Sequence, residues 1–338
     1  MSGVELVEVD VEETGIRIDR WFKRHYPELS HGRLQKLLRT GQVRLDGKRV
    51  KASARLEAGQ KIRVPPPVVS GRGASDHASR RPLKAAEASP AEAADLRSRV
   101  LHLDDDVIVL DKPAGLAVQG GTKTPHHLDA MLDALRFGAD ERPRLVHRLD
   151  KDTAGVLVIA RNARAASELS GVFRTREVRK LYWAVVIGTP KEGSGRISLS
   201  LAKKSAGVKG GVKEKVVAVG ADEQGKKAVT LYRIIDKVGR KAAWLALEPL
   251  TGRTHQLRVH AAALGTPILG DGKYGGRGAF LKGGGISAKL HLLARSIRLP
   301  RPGGEILEAT APLPGHMRDT WEFLGFDANN PEAVFFDL

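Results

Sequence analysis

Apolar residues recur along the first 65 positions with two different periods. Ile18, Trp21 and Phe22 fall at i, i+3 and i+4, the spacing of one face of a short helix. Leu34, Leu37 and Leu38 repeat that spacing. Ser30 stands where an N-cap belongs and Gly41 where a C′ residue belongs, so a second helix is predicted between them. Val43 and Leu45 then alternate with polar residues, Asp46-Gly47 is a type I′ turn signal, and Val50 falls on the returning strand. Lys61-Ile62-Arg63-Val64 reads as one more alternating strand. Residues 1–64 therefore predict a compact unit of two short helices feeding a small hairpin.

From Pro65-Pro66-Pro67 to residue 98 the periodicity dissolves into Ser/Gly-rich and Ala/Glu/Pro-rich sequence, which reads as a flexible linker. Residues 99–325 then form a larger α+β region, leaving 326–338 as a C-terminal tail. Val107-Ile108-Val109-Leu110 has the unbroken apolar character of a buried strand. Residues 155–160 are another, followed by a helix with Ala165, Leu169, Val172 and Phe173 on one face. Residues 182–187, 228–234 and 243–247 also read as strands, and their hairpin-like spacing argues for a mixed or antiparallel sheet. Residues 203–225, rich in Gly and Lys, read as a mobile basic insertion.

Composition narrows the class. The 338 residues suffice for two domains with cores of their own, and 41% hydrophobic with 28% charged is ordinary for a soluble globular chain. No apolar run approaches the roughly 18–20 residues of a membrane span. Residues 1–10 are acidic and lack the regions of a signal peptide. There is no cysteine, which removes disulfides, thiolate metal sites, Fe–S clusters and cysteine nucleophiles together and fits a reducing cytoplasm. Lys and Arg number 56 against 39 Asp and Glu, a net charge of +17. Much of the excess lies between residues 17 and 63, where only Asp19, Glu28, Asp46 and Glu57 oppose it. A polyanion is the implied partner, nucleic acid first, with Arg20, Arg33, Lys36, Arg39 and Arg44 as candidate RNA contacts. Composition alone leaves a merely solvated basic face equally open. No amphipathic Lys/Arg helix with an aromatic face suggests a membrane surface.

Four segments carry candidate chemistry. They are Asp111-Lys112-Pro113-Ala114-Gly115-Leu116-Ala117-Val118; His147-Arg148-Leu149-Asp150-Lys151-Asp152-Thr153-Ala154-Gly155-Val156-Leu157-Val158-Ile159-Ala160; Lys180-Leu181-Tyr182-Trp183-Ala184; and Leu250-Thr251-Gly252-Arg253-Thr254-His255-Gln256-Leu257-Arg258-Val259-His260, which continues to Gly270-Asp271. Together they resemble the signature blocks of the RluA-type pseudouridine synthases, and the basic N-terminal unit resembles an S4 RNA-binding domain. The run Ala117-Val118-Gln119-Gly120-Gly121 is most similar to the branch that modifies large-subunit ribosomal RNA.

The resemblance implies an S4-like module, a linker and a mixed-sheet catalytic domain that isomerises uridine in RNA to pseudouridine. That reaction breaks the C1′–N1 bond, turns the uracil and rejoins it through C5, with no redox change, so neither cofactor nor metal is implied. By resemblance Asp150 is the catalytic carboxylate. Tyr182 packs on the target base and takes the C5 proton. Arg258 pairs with Asp150 and keeps it ionised. Arg148 enters the helix gap left by a flipped uridine, and Arg253 contacts phosphate or supports its loop. Read singly, Asp150 is also a capping carboxylate, Tyr182 a core tyrosine and Arg148 a surface charge. Asp152 is not needed as a second carboxylate.

Other groupings carry less. His126, His127, His147, His255, His260 and His291 form no H-E-x-x-H signature. Gly275-Gly276-Arg277-Gly278 and Gly283-Gly284-Gly285 match no nucleotide loop, and Asp104-Asp105-Asp106 reads as a turn. The expected partner is large-subunit ribosomal RNA, naked or partly assembled, met by a cytoplasmic monomer. Rival readings are a synthase for tRNA or small-subunit RNA, a non-catalytic RNA-binding or ribosome-assembly protein, and an N-glycosidase.

Overall fold

The computed structural model describes residues 4–66, 88–120, 124–175, 177–208, 211–220, 224–281, 286–301 and 303–337. The chain divides into two compact units, residues 1–81 and 82–338.

In the first unit, helices α1 (Ile18–His25) and α2 (His31–Arg39) pack over a four-stranded antiparallel sheet. Its strands are β1 (Glu5–Glu8), β2 (Arg44–Leu45), β3 (Lys48–Arg49) and β4 (Lys61–Val64), in the order β1-β4-β2-β3. Strand β1 was not legible in the sequence. The Ser30 side chain accepts from the Arg33 amide and caps α2, as its position predicts. Asp46 and Gly47, with φ of 47° and 77°, make the tight turn between β2 and β3. The predicted helix faces bury Ile18, Trp21, Phe22, Leu34, Leu37 and Leu38 against Val43, Ile62 and Val64.

The second unit is built on an eleven-stranded sheet. Its strands are β5 (Val100–Leu103), β6 (Val107–Lys112), β7 (Arg144–Leu145), β8 (Ala154–Ala160), β9 (Arg179–Ile187), β10 (Ser194–Val208), β11 (Gly211–Val219), β12 (Lys226–Val238), β13 (Ala242–Pro249), β14 (Leu292–Pro300) and β15 (Ile306–Thr310). The main path runs β11-β10-β12-β13-β9-β14-β8-β6-β5, with β15 on β14 and β7 on β8. The β8–β14 ladder is parallel and the other ladders are antiparallel, so the sheet is mixed.

Alternation along the strands divides the core. Val107, Val109, Val156 and Val158 face α5 (Ala163–Val172) and α7 (Gly315–Leu324) on one side. Ile108, Leu110, Leu157 and Ile159 face α3 (Pro90–Ser98) and α4 (Leu128–Met131) on the other. Further along that second side, Ala184, Ala243, Leu245 and Leu247 pack on α6 (Gln256–Ala263).

Three expectations are corrected. Residues 90–98, assigned to the linker, form α3 with a capping box between Ser89 and Glu92, and Leu96 is buried against the sheet. This Ala-rich helix commits only Ala93 and Leu96 to the core, too few for a visible helical period. The remainder of that linker from residue 67 to 87 lies outside the described residues. The expected tail is part of the core: Phe326, Ala333 and Phe335 are buried, and the Trp183 indole donates to the Ala333 carbonyl at 3.2 Å. The expected mobile insertion contains a long hairpin, with β10 and β11 paired from Ser200↔Val219 to Val208↔Gly211. Its Lys and Gly content hid the alternation that buries Leu201 and Val216 on Ala228 and Val259. Gly121, Lys209, Gly210 and Gly283-Gly284-Gly285 lie outside the described residues.

Candidate active site

The sheet and α6 frame a cavity of about 610 Å³ lined by Arg148, Asp150, Lys180, Tyr182, Arg253, His255 and Arg258, among others. All five site residues expected in this unit come together there.

Asp150 sits in the loop between β7 and β8, and its side chain is 21% exposed. Two ties hold that loop. Lys112, wholly buried at the end of β6, donates its ammonium to the carbonyls of Pro113 (2.8 Å), Leu116 (2.9 Å) and Lys151 (3.1 Å). The Gly115 amide donates to the same Lys151 carbonyl at 2.9 Å. The Lys-Pro turn and the Asp150 loop are thus one unit. Burial pushes the Lys112 ammonium down to about 8, opposed by the charges of Asp152, Asp150 and Asp111. On the other side His147 accepts the Val158 amide at Nε2 (2.8 Å) and stacks on Phe173 with ring centres 4.3 Å apart. Burial first, and the Lys180 charge second, push His147 down to about 3, the neutral state that an acceptor nitrogen requires.

Gly155, the second residue of β8, has φ of +104°, and a Cβ there would sit 2.2 Å from the Ala294 carbonyl of the parallel neighbour β14. Only glycine permits that approach, which accounts for its place five residues after Asp150.

Tyr182 lies on β9, on the face shared with α4 and α6. Burial, then the Asp150 charge, raises its hydroxyl well above the usual phenol value. The resting group is a neutral phenol, so an acceptor role for the C5 proton requires its own proton to leave first.

Arg258 projects from α6 into the cavity wall, but not in the pairing expected for it. Its guanidinium forms a bidentate bridge with Asp271, Nε at 2.8 Å and NH2 at 2.7 Å, both side chains nearly or wholly buried. The fork matches one carboxylate in full, and leaving Asp271 unpaired at that depth would cost several kcal/mol. Burial alone would lower the Arg258 pKa; the Asp271 pairing, with the Asp150 charge beyond it, more than offsets this. Asp271 closes the fourth segment, and neither spacing nor resemblance gave it a role.

His255 is the residue that sequence reasoning missed. It precedes α6 in left-handed conformation (φ 53°), with Nε2 at 3.9 Å from the Asp150 carboxylate and Nδ1 at 2.7 Å from the Tyr274 hydroxyl. The Tyr274 ring in turn lies 5.2 Å from the Arg258 guanidinium. A carbonyl-and-amide lock explains the rest of the block. Gln256 accepts from the Arg253 amide (3.0 Å) and the Thr251 hydroxyl (2.7 Å) and donates to the Val229 carbonyl (2.9 Å), holding the loop on β12. Arg253 and Arg148 are exposed at the mouth; Arg253 also donates to the Lys227 carbonyl at 3.2 Å.

In the N-terminal unit Lys36 and Arg39 of α2 share a cavity of about 540 Å³ with Lys51. Arg20 and Arg33 are exposed. Arg44 is exposed too, but its guanidinium is tied to the Gly41 and Gly47 carbonyls at 3.1 and 3.2 Å. Among the described residues no three His, Asp or Glu side chains converge where a metal ion could sit, and no helix is long and apolar enough to cross a membrane.

Residues 106–263, which carry Asp150, Tyr182 and the α6 block, match the family model for RNA pseudouridylate synthase. An uncharacterized RNA pseudouridine synthase of Synechocystis is 32% identical over 92% of this chain and 89% of its own length. The chain belongs to the RNA pseudouridine synthase family. Another synthase, ribosomal large subunit pseudouridine synthase C of Vibrio cholerae, is 33% identical over 93% of this chain and 95% of its own. Among solved structures, human RNA pseudouridylate synthase domain containing 4 superposes with a TM-score of 0.59 at 31% identity, covering 70% of this chain and 97% of that one. As a pseudouridine synthase the protein is an isomerase acting on RNA, and the α+β mixed sheet described above is the fold it shares with that structure.

Proposed function

We propose that this synthase isomerises uridines of large-subunit ribosomal RNA in the cytoplasm, acting as a monomer, with Asp150 as the catalytic carboxylate. The observation that carries the site assignment is the convergence of Asp150, Tyr182 and Arg258 in one cavity whose mouth presents Arg148 and Arg253. The substrate rests on the printed names of relatives such as the Vibrio cholerae enzyme.

A uridine enters the cavity by leaving its helix, at a cost of a few kcal/mol that is least for unpaired bases. Loops, bulges and junctions of naked or partly assembled RNA are therefore the natural targets. The Arg148 guanidinium stacks in the vacated gap, and Tyr182 packs on the flipped base. Asp150 supplies the electron pair or base that the ribose needs as the C1′–N1 bond opens. Arg258, held by Asp271, keeps positive charge near Asp150 without pairing with it. Exposed Arg20, Arg33, Lys36 and Arg39, on a unit resembling an S4 domain, supply phosphate attraction that positions the RNA.

Carbodiimide-adduct primer extension on 23S RNA, 16S RNA and bulk tRNA from a deletion strain, its complemented parent and an Asp150→Asn complement tests the proposal. Stops that return in 23S RNA with the wild type alone are the expected result. Stops confined to tRNA or 16S RNA overturn the substrate, and stops restored by Asp150→Asn overturn the catalytic assignment.

A further inference from the structure

Lys180 stands two residues before Tyr182 on β9, so strand alternation puts both side chains on one face, roughly 7 Å apart along the strand. Both line the Asp150 cavity. The other buried cations nearby are committed: Arg258 to Asp271, Lys112 to three carbonyls, and Arg179, the neighbour of Lys180, to Glu248 at 2.7 Å. The Lys180 ammonium has no hydrogen bond or ion pair among the described residues. Burial depresses its pKa from the ordinary lysine value, and no carboxylate offsets the effect. Its titratable neighbour is His147, itself held neutral. A half-buried ammonium without a counter-charge costs the fold stability, and such groups gather where a ligand supplies the missing charge.

The reaction generates one. When the C1′–N1 bond breaks, its electron pair leaves with the base, whether Asp150 attacks the sugar or assists elimination. Uracil becomes an anion with charge spread over N1, O2 and O4. When the pair returns through C5 to C1′, C5 loses its proton, the base regains one on nitrogen, and neutrality is restored. We propose that Lys180 is a catalytic residue whose ammonium stabilises the departing uracil anion by hydrogen bonding, without transferring its own proton. The charge exists only after cleavage begins, so the ammonium favours the transition state over bound substrate. The role rests on the site proposed above and needs no co-reactant.

The test separates rate from affinity. Lys180→Met preserves length without charge, Lys180→Gln keeps a neutral donor, and Lys180→Arg keeps the charge. Each is measured for RNA affinity across a salt series and for single-turnover tritium release from saturating RNA labelled at uridine C5. The expected result is a loss of about 10²–10³ in the single-turnover rate for Lys180→Met, the scale of one preorganised donor, with affinity and salt slope unchanged and partial recovery in Lys180→Arg. Lys180→Gln gives the same comparison should the Met variant not fold. Weakened affinity with a shallower salt slope and an unchanged saturating rate would make Lys180 a phosphate contact and overturn the proposal. Wild-type rate and affinity in Met and Gln variants would overturn it equally. Failure of the underlying site is distinguishable: there, Asp150→Asn retains activity, or the wild type releases no tritium.

Discussion

The two units use the same residue types in opposite ways. In the N-terminal unit Lys36, Arg39 and Lys51 surround an open cavity, and Arg20 is exposed. Such charges act additively, at long range, and are screened by salt. In the Asp150 cavity each buried cation has its own geometry: Arg258 forks onto Asp271, Lys112 gathers three carbonyls, and Lys180 has no partner among the described residues. There desolvation makes each placement expensive and specific. On the proposed function, charge count speaks for affinity in the first unit, and charge placement for chemistry in the second.

The sharpest way to break this comparison is at Asp150. Asp150→Asn should lower isomerisation by several orders of magnitude while RNA affinity and melting temperature stay near wild type, read by tritium release, filter binding and thermal unfolding. Affinity falling in parallel with activity would show that the cavity also dominates binding.

Next in size is the Arg258–Asp271 pair. Asp271→Asn strands a buried guanidinium and should destabilise the second unit by about 3–5 kcal/mol. Replacing both partners, Arg258→Met with Asp271→Leu, should recover much of that stability in denaturant unfolding but not the activity. Arg39→Ala on the first unit, by contrast, should leave stability within roughly 0.5 kcal/mol.

Acid should also divide the units. Burial pushes His260 and His291 down to about 4, and both are fully buried. Above the unfolded histidine value near 6.5 neither state binds these protons, and the stability they contribute is fully present. Between about 6.5 and 4 the unfolded chain takes protons that the folded one refuses, so stability falls by up to about 1.4 kcal/mol per pH unit for each histidine, levelling off below. In the first unit Glu13, despite the opposing effect of burial, is held below the usual carboxylate value by hydrogen bonds from His25 and Trp21. That contribution disappears only below the unfolded carboxylate range. Calorimetry between pH 6.5 and 4.5 should show the second unit's transition moving down while the first holds.

The smallest effect expected is on salt dependence. Lys36→Ala with Arg39→Ala should reduce the slope of log affinity against log salt by roughly 0.7–0.9 for each phosphate no longer neutralised, with the saturating rate unchanged.

Much of this was visible before folding because the forces involved are local. The faces of α1 and α2, the Ser30 cap, the Asp46-Gly47 turn and the strands after Val107 and Gly155 follow from period, caps and turns within a few residues. That Asp150 and Tyr182 would meet in one cavity was legible for a related reason: their blocks encode a loop and a strand that the local sequence specifies. What stayed hidden depended on partners distant in the chain. Strand β1 has no pattern of its own until β4 pairs with it. The β10–β11 hairpin shows its apolar face only against α6, and residues 326–337 look like a tail until Phe326 packs on Trp321 and the Trp183 indole binds the Ala333 carbonyl.

The sequence by itself determined the helices and strands whose period lies within a few residues, the excess of positive charge and the signature block in which Asp150 stands. Tertiary structure alone decided what each charge does. Arg258 was matched to Asp150 by its motif, yet its carboxylate is Asp271, thirteen positions on, because α6 and the turn after it fold together in a space too dry for either charge alone. His255 reached Asp150 through a left-handed residue that no spacing announces. Lys180 has no counter-charge among the described residues, in the same cavity. A side chain's type is written in the chain, but the solvation and partners that set its free energy exist only once distant segments have met.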